Sequence, residues 1–437
     1  MASRRTRVGQ PSLKPGLLDP APMSGLITAL RTGSWLIRER VRLIAGGVAI
    51  ASLAGLIFLI ATAHGLNDRL GRPLGTDFSN VYAAGTYVLD GEPAKPFDPA
   101  AQHAREQAIF GAATPFYGWH YPPFFLALAA LLALLPYLAA LAVWQGTTLA
   151  AYLWVIRGIL NHHPLAAHVR SLWPLLAIAF PAVFINLGHG HNGFLTAALF
   201  GGALLALDRR PILAGVLFGL LAYKPQFGVL IPLALIASGR WRATASAALT
   251  VIAMAVVTTL AFGMDIWTAF LASGHFTRTV VLEAGDTGWE KIQSVFAWAR
   301  MWGAPVPLAY AAQAVVTVGV AIAVIRIWRS GASFADKAAV LLIGTLLATP
   351  YSLDYDLMLL APALAFLTTD IMRRGATAWE ATLLAALWLM PLVARSMAQV
   401  TLIPLAVPLM LVTLLLVLRR TFRSPAVPVL ASAPAAE

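Results

Sequence analysis

Apolar runs separated by short basic clusters fill most of the chain after residue 42. The run 43–63 reaches the roughly twenty residues that a helix needs to cross a bilayer, and the runs 138–160, 243–264 and 306–328 are comparable. Positively charged residues favour the cytoplasmic side, so the arginine cluster 38–42 places the N-terminus in the cytoplasm. Together with the shorter apolar runs, among them 172–187 and a last span at 400–418, the pattern predicts about twelve transmembrane helices.

Two long polar segments interrupt this pattern, at 65–120 and 265–305. In the first, Asp77–Leu89 and Pro99–Phe110 have helical periodicity but are too polar to span, so we expect helices that lie on the outer surface. The apolar run 121–136 that follows is only about sixteen residues long. It fits either a tilted span or a re-entrant helix.

A second unusual pattern is a pair of short apolar runs, 211–223 and 227–238, joined by Lys224-Pro225-Gln226. At about 1.5 Å per residue each run is roughly 20 Å long, well short of the roughly 30 Å hydrocarbon core. Lys224 is therefore predicted to lie within the membrane profile. Interrupted helices with a polar break at this depth are typical of binding sites.

The amino-acid composition excludes several classes of protein. The chain is 59% hydrophobic and 11% charged, with a mean hydropathy of +0.75, which excludes a soluble globular domain. The formal charge of +12 fits basic cytoplasmic loops, and we expect no nucleic-acid partner. Without cysteine, disulfides, thiol nucleophiles and iron–sulfur sites are excluded.

These features predict an all-α polytopic membrane protein with a single transmembrane domain at 43–420. Residues 1–42 are expected to form a basic cytoplasmic tail, and residues 421–437, rich in proline and alanine, a disordered cytoplasmic tail. Membrane lipids are the expected surroundings of the domain.

The predicted topology collects polar side chains on the external face. They are Asp77, His120, Tyr121, His189, His191, Lys224, the loop from Glu283 to Lys291, Asp354 and Asp356, together with the neighbouring candidates Asn192 and Gln226. Polar groups concentrated on one side favour a substrate site at the outer leaflet over a channel, which needs polar residues deep in several helices.

Several of these residues allow two interpretations. Asp77 is either a catalytic carboxylate or the N-cap of a helix that begins at Phe78. Lys224 either snorkels to the interface or binds an anion such as a lipid phosphate. Asp354 and Asp356 either contact a substrate or cap the helix that follows them.

His189 and His191 allow three interpretations: polar groups lining a sugar site, metal ligands, or part of a glycine-rich turn. No cysteine and no third ligand at a recognisable spacing accompany them, so we expect neither a metal nor another cofactor.

The order and spacing of short motifs resemble glycosyltransferase family 87. This is the DUF2029 group of GT-C membrane glycosyltransferases, which includes polyprenol-phosphate-mannose-dependent α-1,2-mannosyltransferases. The resemblance extends from about Gly75 to Leu360. The motifs that carry it are Gly75-Thr76-Asp77-Phe78, Tyr82-Ala83-Ala84-Gly85, Leu89-Asp90-Gly91, Tyr121-Pro122-Pro123, Ala142-Val143-Trp144, Gly188-His189-Gly190-His191-Asn192, Ala214-Gly215, Lys224-Pro225-Gln226, Arg240-Trp241 and Thr349-Pro350-Tyr351-Ser352.

The resemblance implies a GT-C fold and a sugar donor carried on a polyprenyl phosphate. It also implies a glycan or glycolipid acceptor at the external face and no nucleotide sugar. In the family the acid of the first external loop is the catalytic base, and that role falls on Asp77. Tyr82 joins the substrate-positioning candidates through its motif. Two loops depart from the family pattern: His191 extends the usual Gly-Gln-x-Asn loop, and Leu353 and Tyr355 alter the usual Ser-Trp-Asp-His.

The expected reaction is an inverting transfer of a hexose, mannose in the first instance. Asp77 takes the proton of an acceptor hydroxyl while Lys224 stabilises the leaving phosphate. Because a phosphate leaves without a proton, one carboxylate suffices. The expected location is the bacterial inner membrane, with the site on the periplasmic or extracellular face. The alternatives are a transporter or flippase of a lipid-linked sugar, which predicts a polar path to the cytoplasm, and a structural scaffold.

Overall fold

The computed structural model describes residues 22–161 and 167–423. Within these two ranges the regular secondary structure is helical, and the extended pairings are isolated bridges. The predicted all-α architecture is therefore confirmed for the described part of the chain. Half of the predicted N-terminal tail (1–21) and nearly all of the predicted C-terminal tail (424–437) lie outside the described residues.

The helices follow the chain in five groups. The first group contains α1 (Pro22–Thr32), α2 (Arg38–Ala61), α3 (Thr76–Leu89) and α4 (Pro99–Phe110), with a 3-10 turn at Lys95–Phe97. The second contains α5 (Phe125–Ala133), α6 (Tyr137–Asn161), α7 (Ala167–Ile178), α8 (Pro181–His189) and α9 (Gly193–Ala206). The third contains α10 (Pro211–Leu220), a 3-10 turn (Leu221–Tyr223), α11 (Pro225–Gly228), α12 (Leu230–Ala237) and α13 (Trp241–Phe262).

The last two groups form the second half of the bundle. The fourth contains α14 (Asp265–Phe276), a π-helix (Thr277–Glu283), a 3-10 turn (Trp289–Lys291), α15 (Val295–Met301) and α16 (Val306–Arg329). The fifth contains α17 (Phe334–Ala348), a 3-10 helix (Asp354–Leu359), α18 (Leu360–Arg374), α19 (Glu380–Leu389), a 3-10 turn (Met390–Leu392), α20 (Ala394–Thr401) and α21 (Ala406–Arg423).

Membrane-spanning length is reached by five of the described helices. They are α2, α6, α13, α16 and the continuous stretch Asp354–Arg374. Two bent pairs pass the same test, α7 with α8 at 41° and Glu380–Leu392 with α20 at 79°, which raises the number to seven. The membrane character is thus confirmed, whereas the count of about twelve crossings is not confirmed and stays a prediction.

Prolines divide two runs that were predicted to be continuous spans. The run 172–187 is broken where Pro181 begins α8, because proline cannot donate the backbone hydrogen bond that would continue α7. The predicted last span beginning at Val400 is wrong. Val400 belongs to α20, after which Leu402 adopts a left-handed conformation (φ 57°), and α21 begins only beyond Pro404.

The first external segment contains the two predicted helices, and the first of them is partly buried. Helix α3 packs against α5, where Gly85 allows close contact: a Cβ at this position would lie 2.2 Å from the carbonyl oxygen of Ala129. Helix α5 has nine residues and a length of about 14 Å, too short to cross a bilayer. This length favours the re-entrant interpretation of 121–136.

Helices α17 and α18 form the centre of the bundle and connect its two ends. The C-terminal end of α17 leads into the turn 351–356, which in turn leads into α18. The N-terminal part of α17 and the C-terminal part of α18 contribute to a buried ionic cluster. In that cluster Arg420 contacts Asp336, Asp370 and Glu380, and Arg374 contacts Asp370 and Glu380. The cluster therefore joins α17, α18, α19 and α21 at the end remote from that turn.

Candidate functional site

A cavity of about 630 Å³ opens between the two external segments, the α8–α9 corner, the break at Lys224 and the turn 351–356. Carboxylates, cations and aromatic rings share its wall. The lining residues are Arg72, Thr76, Asp77, Asn80, Pro115, Phe116, Tyr117, His120, Tyr121, His189, His191, Tyr223, Lys224, Gln226, Val281, Asp286, Thr287, Lys291, Tyr351, Leu353, Asp354, Tyr355, Asp356 and Arg395.

Asp77 is placed in the wall by the start of α3. Gly75 is the N-cap and adopts a left-handed conformation (φ 69°), and no side chain caps this helix. Asp77 is the second residue of α3, so the N-cap interpretation is wrong: the helix begins at Thr76, earlier than predicted. The carboxylate of Asp77 therefore does not cap the N-terminus of α3.

His189 is the nearest partner of Asp77. Its Nδ1 lies 3.9 Å from Asp77 Oδ2 and 2.7 Å from Thr76 Oγ1. A glycine contact permits this approach, because a Cβ on Gly190 (φ 64°) would lie 3.2 Å from the Cα of Gly75. Two loops far apart in the sequence therefore meet at the carboxylate.

The environment of Asp77 raises the pKa of its carboxyl group. Burial in the cavity is the main cause, and the charge of Asp354 adds to it, while His189, Lys291 and Lys224 oppose it. A carboxylate with a raised pKa is a stronger base, which suits it to accept a proton during a reaction near neutral pH.

Lys224 lies at the predicted break but does not snorkel. Its backbone (φ −123°, ψ 77°) is non-helical, and its Nζ lies 2.6 Å from Oδ1 of Asp356. Both side chains are buried, at 5% and 2% exposure. The interface interpretation is therefore wrong, and the desolvated ammonium pairs with a carboxylate of the protein.

The two aspartates of the turn 351–356, Asp354 and Asp356, accept hydrogen bonds from different partners. Asp356 Oδ2 accepts a hydrogen bond from the backbone N–H of Leu353 at 3.0 Å, so the capping interpretation is correct for Asp356, which also binds Lys224. Asp354 Oδ1 accepts from the N–H of Tyr355 at 2.9 Å, and the side chain lines the cavity.

His191, which lines the cavity, and Asn192, which lies behind the wall, belong to one buried network. The ring of His191 stacks on Tyr355 with centroids 3.4 Å apart, and its Nε2 lies 3.4 Å from the hydroxyl of Tyr121. Asn192 Nδ2 donates to the same hydroxyl at 2.8 Å. Asn192 therefore orients Tyr121 and is absent from the wall itself.

The structure brings nine of the eleven predicted site residues to the cavity: Asp77, His120, Tyr121, His189, His191, Lys224, Gln226, Asp354 and Asp356. Besides Asn192, Tyr82 is the exception. Its hydroxyl donates to the carbonyl of Leu135 at 3.0 Å, and its ring packs edge-on against Tyr137. Tyr82 follows Asp77 by five residues on α3, half a helical turn out of phase, so it faces away.

His120 joins the two external segments. Its Nδ1 lies 2.9 Å from Thr277 Oγ1 at the start of the π-helix. Burial lowers the pKa of His120 to about 4, so the ring is neutral at physiological pH. The contact therefore holds the π-helix against the first segment through a neutral hydrogen bond.

Glu106 holds the wall residue Tyr117 from behind. Its carboxylate accepts hydrogen bonds from the backbone N–H groups of Tyr117 and Gly118 at 3.0 and 3.2 Å. The side chain is fully buried, and this burial raises its pKa to about 7.

Sequence reasoning missed several wall residues. Asn80 had a usable signal, because it follows Asp77 by three residues and shares its helix face. Arg395 had none, since it reaches the cavity only through the 79° bend between Glu380–Leu392 and α20. Across residues 22–161 and 167–423, no three His, Asp or Glu side chains group as a metal site.

Comparison with protein families gives one match. The model for glycosyltransferase family 87 matches residues 119–350, more than half of the chain. The matched region includes His120, His189, His191 and Lys224, whereas Asp77 precedes it. No curated protein and no solved structure matches the chain.

Proposed function

The chain belongs to glycosyltransferase family 87, and from this premise we propose that it transfers a hexose from a polyprenyl phosphate to a glycan or glycolipid. Mannose is the sugar we propose first. The observation that carries this proposal is the position of Asp77: a carboxylate with a raised pKa, free of capping bonds, in a cavity of about 630 Å³ that also contains cations.

Asp77 is the proposed general base. It accepts the proton of an acceptor hydroxyl as the hydroxyl oxygen attacks the anomeric carbon of the donor sugar. The bond between the anomeric carbon and the phosphate oxygen breaks, and its electron pair stays with the phosphate. A single displacement of this kind inverts the anomeric configuration.

Lys224 is the proposed contact for the leaving phosphate. An ammonium group has three N–H donors, and Asp356 uses one of them. The remaining donors are held in place by the buried ion pair, so they are preorganised for an anion. Tyr121, His189, His191, Gln226 and Asp354 are the proposed contacts for sugar and acceptor.

We place the cavity on the periplasmic or extracellular side of a bacterial inner membrane, with both termini in the cytoplasm. The basic helix ends at Arg326, Arg329, Arg373 and Arg374 support this orientation by the positive-inside rule. The family match gives no support to the transporter or flippase alternative.

The decisive experiment is a donor panel. The purified protein is reconstituted in lipid vesicles with a membrane glycolipid extract, and labelled hexoses are supplied either on polyprenyl phosphate or on nucleotides. We expect transfer from a polyprenyl-phosphate hexose alone, with an inverted anomeric centre by NMR. Transfer from a nucleotide sugar, a retained configuration, or translocation of the lipid-linked sugar without transfer would overturn the proposal.

A further inference from the structure

The cations of the cavity differ in whether the protein already neutralises them. Arg72 forms a salt bridge with Asp68 at 2.9 Å, and Lys224 forms one with Asp356 at 2.6 Å. Each of these pairs is close to neutral as a unit. An anionic ligand can still accept a hydrogen bond from the remaining N–H groups of Lys224, but it gains little net charge compensation from either pair.

Lys291 and Arg395 are different. Both line the cavity and are partly buried, and neither side chain forms an ion pair or hydrogen bond within the part of the chain that the structure describes. Asp286 and Asp354 share the wall with them but form no ion pair with either. Arg395 and Asp354, and Lys291 and Asp77, interact only through their charges and not through a direct contact, so neither cation is engaged in an ion pair with the described residues of the protein.

The position of Lys291 is fixed by the turn 351–356. The next residue, Ile292, is fully buried and forms an antiparallel bridge with Leu353. The N–H of Gln293 donates to the carbonyl of Ser352 at 2.7 Å. Lys291 therefore lies beside the turn that contains Asp354 and Asp356.

Arg395 reaches the cavity from a different element, α20. A 79° bend after Leu392 separates α20 from the preceding helix, and Ala394 at the start of α20 is fully buried. Helix α20 packs against the 3-10 turn Trp289–Lys291, so the two cations come from elements in contact. The fold thus places two unpaired charges at one part of the wall.

We propose that Lys291 and Arg395 form the binding site for the phosphate of a polyprenyl-phosphate donor. This inference rests on the proposed function. It proposes that Lys291 and Arg395 supply the positive charge for the phosphate that the near-neutral Lys224–Asp356 pair does not supply. The donor is a phosphodiester with one negative charge, and it leaves as a monoester that approaches two. Two free cations match the charge of the leaving group, so their effect is larger in the transition state than in the bound donor.

The test measures phosphate binding without requiring transfer. Full-length protein in nanodiscs is titrated with undecaprenyl phosphate, uncharged undecaprenol and inorganic phosphate, and binding is followed by intrinsic tryptophan fluorescence. The variants are Lys291→Gln, Arg395→Gln and the double variant, with Lys291→Arg and Arg395→Lys to preserve charge. Arg278→Gln is the matched control, because Arg278 is an exposed basic residue of the same external segment that does not line the cavity.

We expect each Gln variant to weaken undecaprenyl phosphate binding by about tenfold and the double variant by about a hundredfold, since each removes one charge-assisted contact. Undecaprenol binding should not change, and the charge-preserving variants and Arg278→Gln should stay within about threefold of wild type.

Three results would overturn the inference. They are a double variant that binds undecaprenyl phosphate like wild type, charge-preserving variants that lose as much affinity as the Gln variants, and inorganic phosphate that binds more tightly than the lipid. Failure of the proposed function appears differently: wild type would bind undecaprenyl phosphate through these cations and yet transfer no sugar from any polyprenyl-phosphate donor.

Discussion

Replacing Asp77 by asparagine tests the proposed proton-accepting role of its carboxylate. Asparagine has nearly the same shape but cannot take a proton at neutral pH. The structure predicts little cost to folding, because Gly75 caps α3 and Asp77 forms no hydrogen bond within the described residues. The carboxylate is 23% exposed, so asparagine stays solvated in the cavity.

The expected effect on the transfer rate is large. A positioned general base contributes about 10²- to 10⁴-fold, which corresponds to roughly 3–5 kcal/mol of transition-state stabilisation. We expect a loss of about a thousandfold in kcat, near the middle of that range, because the raised pKa makes Asp77 an effective base. Donor affinity should change by less than about threefold, since the proposed phosphate contacts are cations and do not include Asp77.

The assay measures sugar transfer in reconstituted vesicles together with donor binding and melting temperature. Glu92→Gln is the matched control: it neutralises an exposed carboxylate of the same external segment that does not line the cavity. The wild-type rate should also fall on the acid side at a pH above the ordinary pKa of aspartate, because burial raises the pKa of Asp77. A folded Asp77→Asn protein that transfers sugar within about tenfold of wild type would refute the assignment.

Three further predictions test the surroundings of the site. Lys224→Met leaves the Asp356 carboxylate buried without its partner and should destabilise the fold by about 3–5 kcal/mol, whereas adding Asp356→Asn should restore much of that loss; equal melting temperatures in the two variants would contradict this. Burial raises the pKa of Glu106 to about 7, so the folded protein holds a proton that the unfolded chain releases above about 4.5, and the contribution of Glu106 to stability falls as pH rises between these values. Glu106→Gln should therefore gain up to about 3 kcal/mol relative to wild type between pH 5 and pH 8, and parallel melting curves across that range would argue against it. Tyr82→Phe loses one hydrogen bond outside the cavity, so stability should fall by about 1 kcal/mol while transfer stays within about twofold; a large loss of transfer would place Tyr82 in the site after all.

The sequence was most informative where a local signal decides the structure. Pro225 after Lys224 predicts a helix break because proline lacks the N–H that would continue the helix, and the break occurs there. The apolar runs predict α6, α13 and α16 to within two residues at each end. Gly75 and Gly190 allow two loops to approach closely, which brings Asp77 and His189 together. The sequence predicts that Asp77 and His189 both lie on the external face of the membrane, but it does not predict that they are in contact.

Contacts between distant segments could not be read from the sequence. Asp356 is the partner of Lys224 across 132 positions, and nothing in either local pattern selects it. The same limit applies to Arg395, since it lines the cavity only because the chain bends by 79° before α20, and no local pattern predicts that angle. Charge pairing, and hence which cations remain free for a ligand, is a property of the assembled bundle.

The distribution of hydrogen bonds among the cavity carboxylates bears directly on the mechanism. Of the four that the described residues bring to the wall, Asp356 is held by Lys224 and by the N–H of Leu353, Asp354 accepts from its neighbouring backbone N–H, and Asp286 is exposed. Asp77 alone combines partial burial, a raised pKa and freedom from backbone bonds within this group. Displacement of a phosphate needs a base but no acid, because the leaving oxygen is already stable as an anion beside cations. Cleavage of an ordinary glycosidic bond would need a second carboxyl group held as an acid near the first, whereas one free carboxylate facing unpaired cations suits a donor whose leaving group is a phosphate.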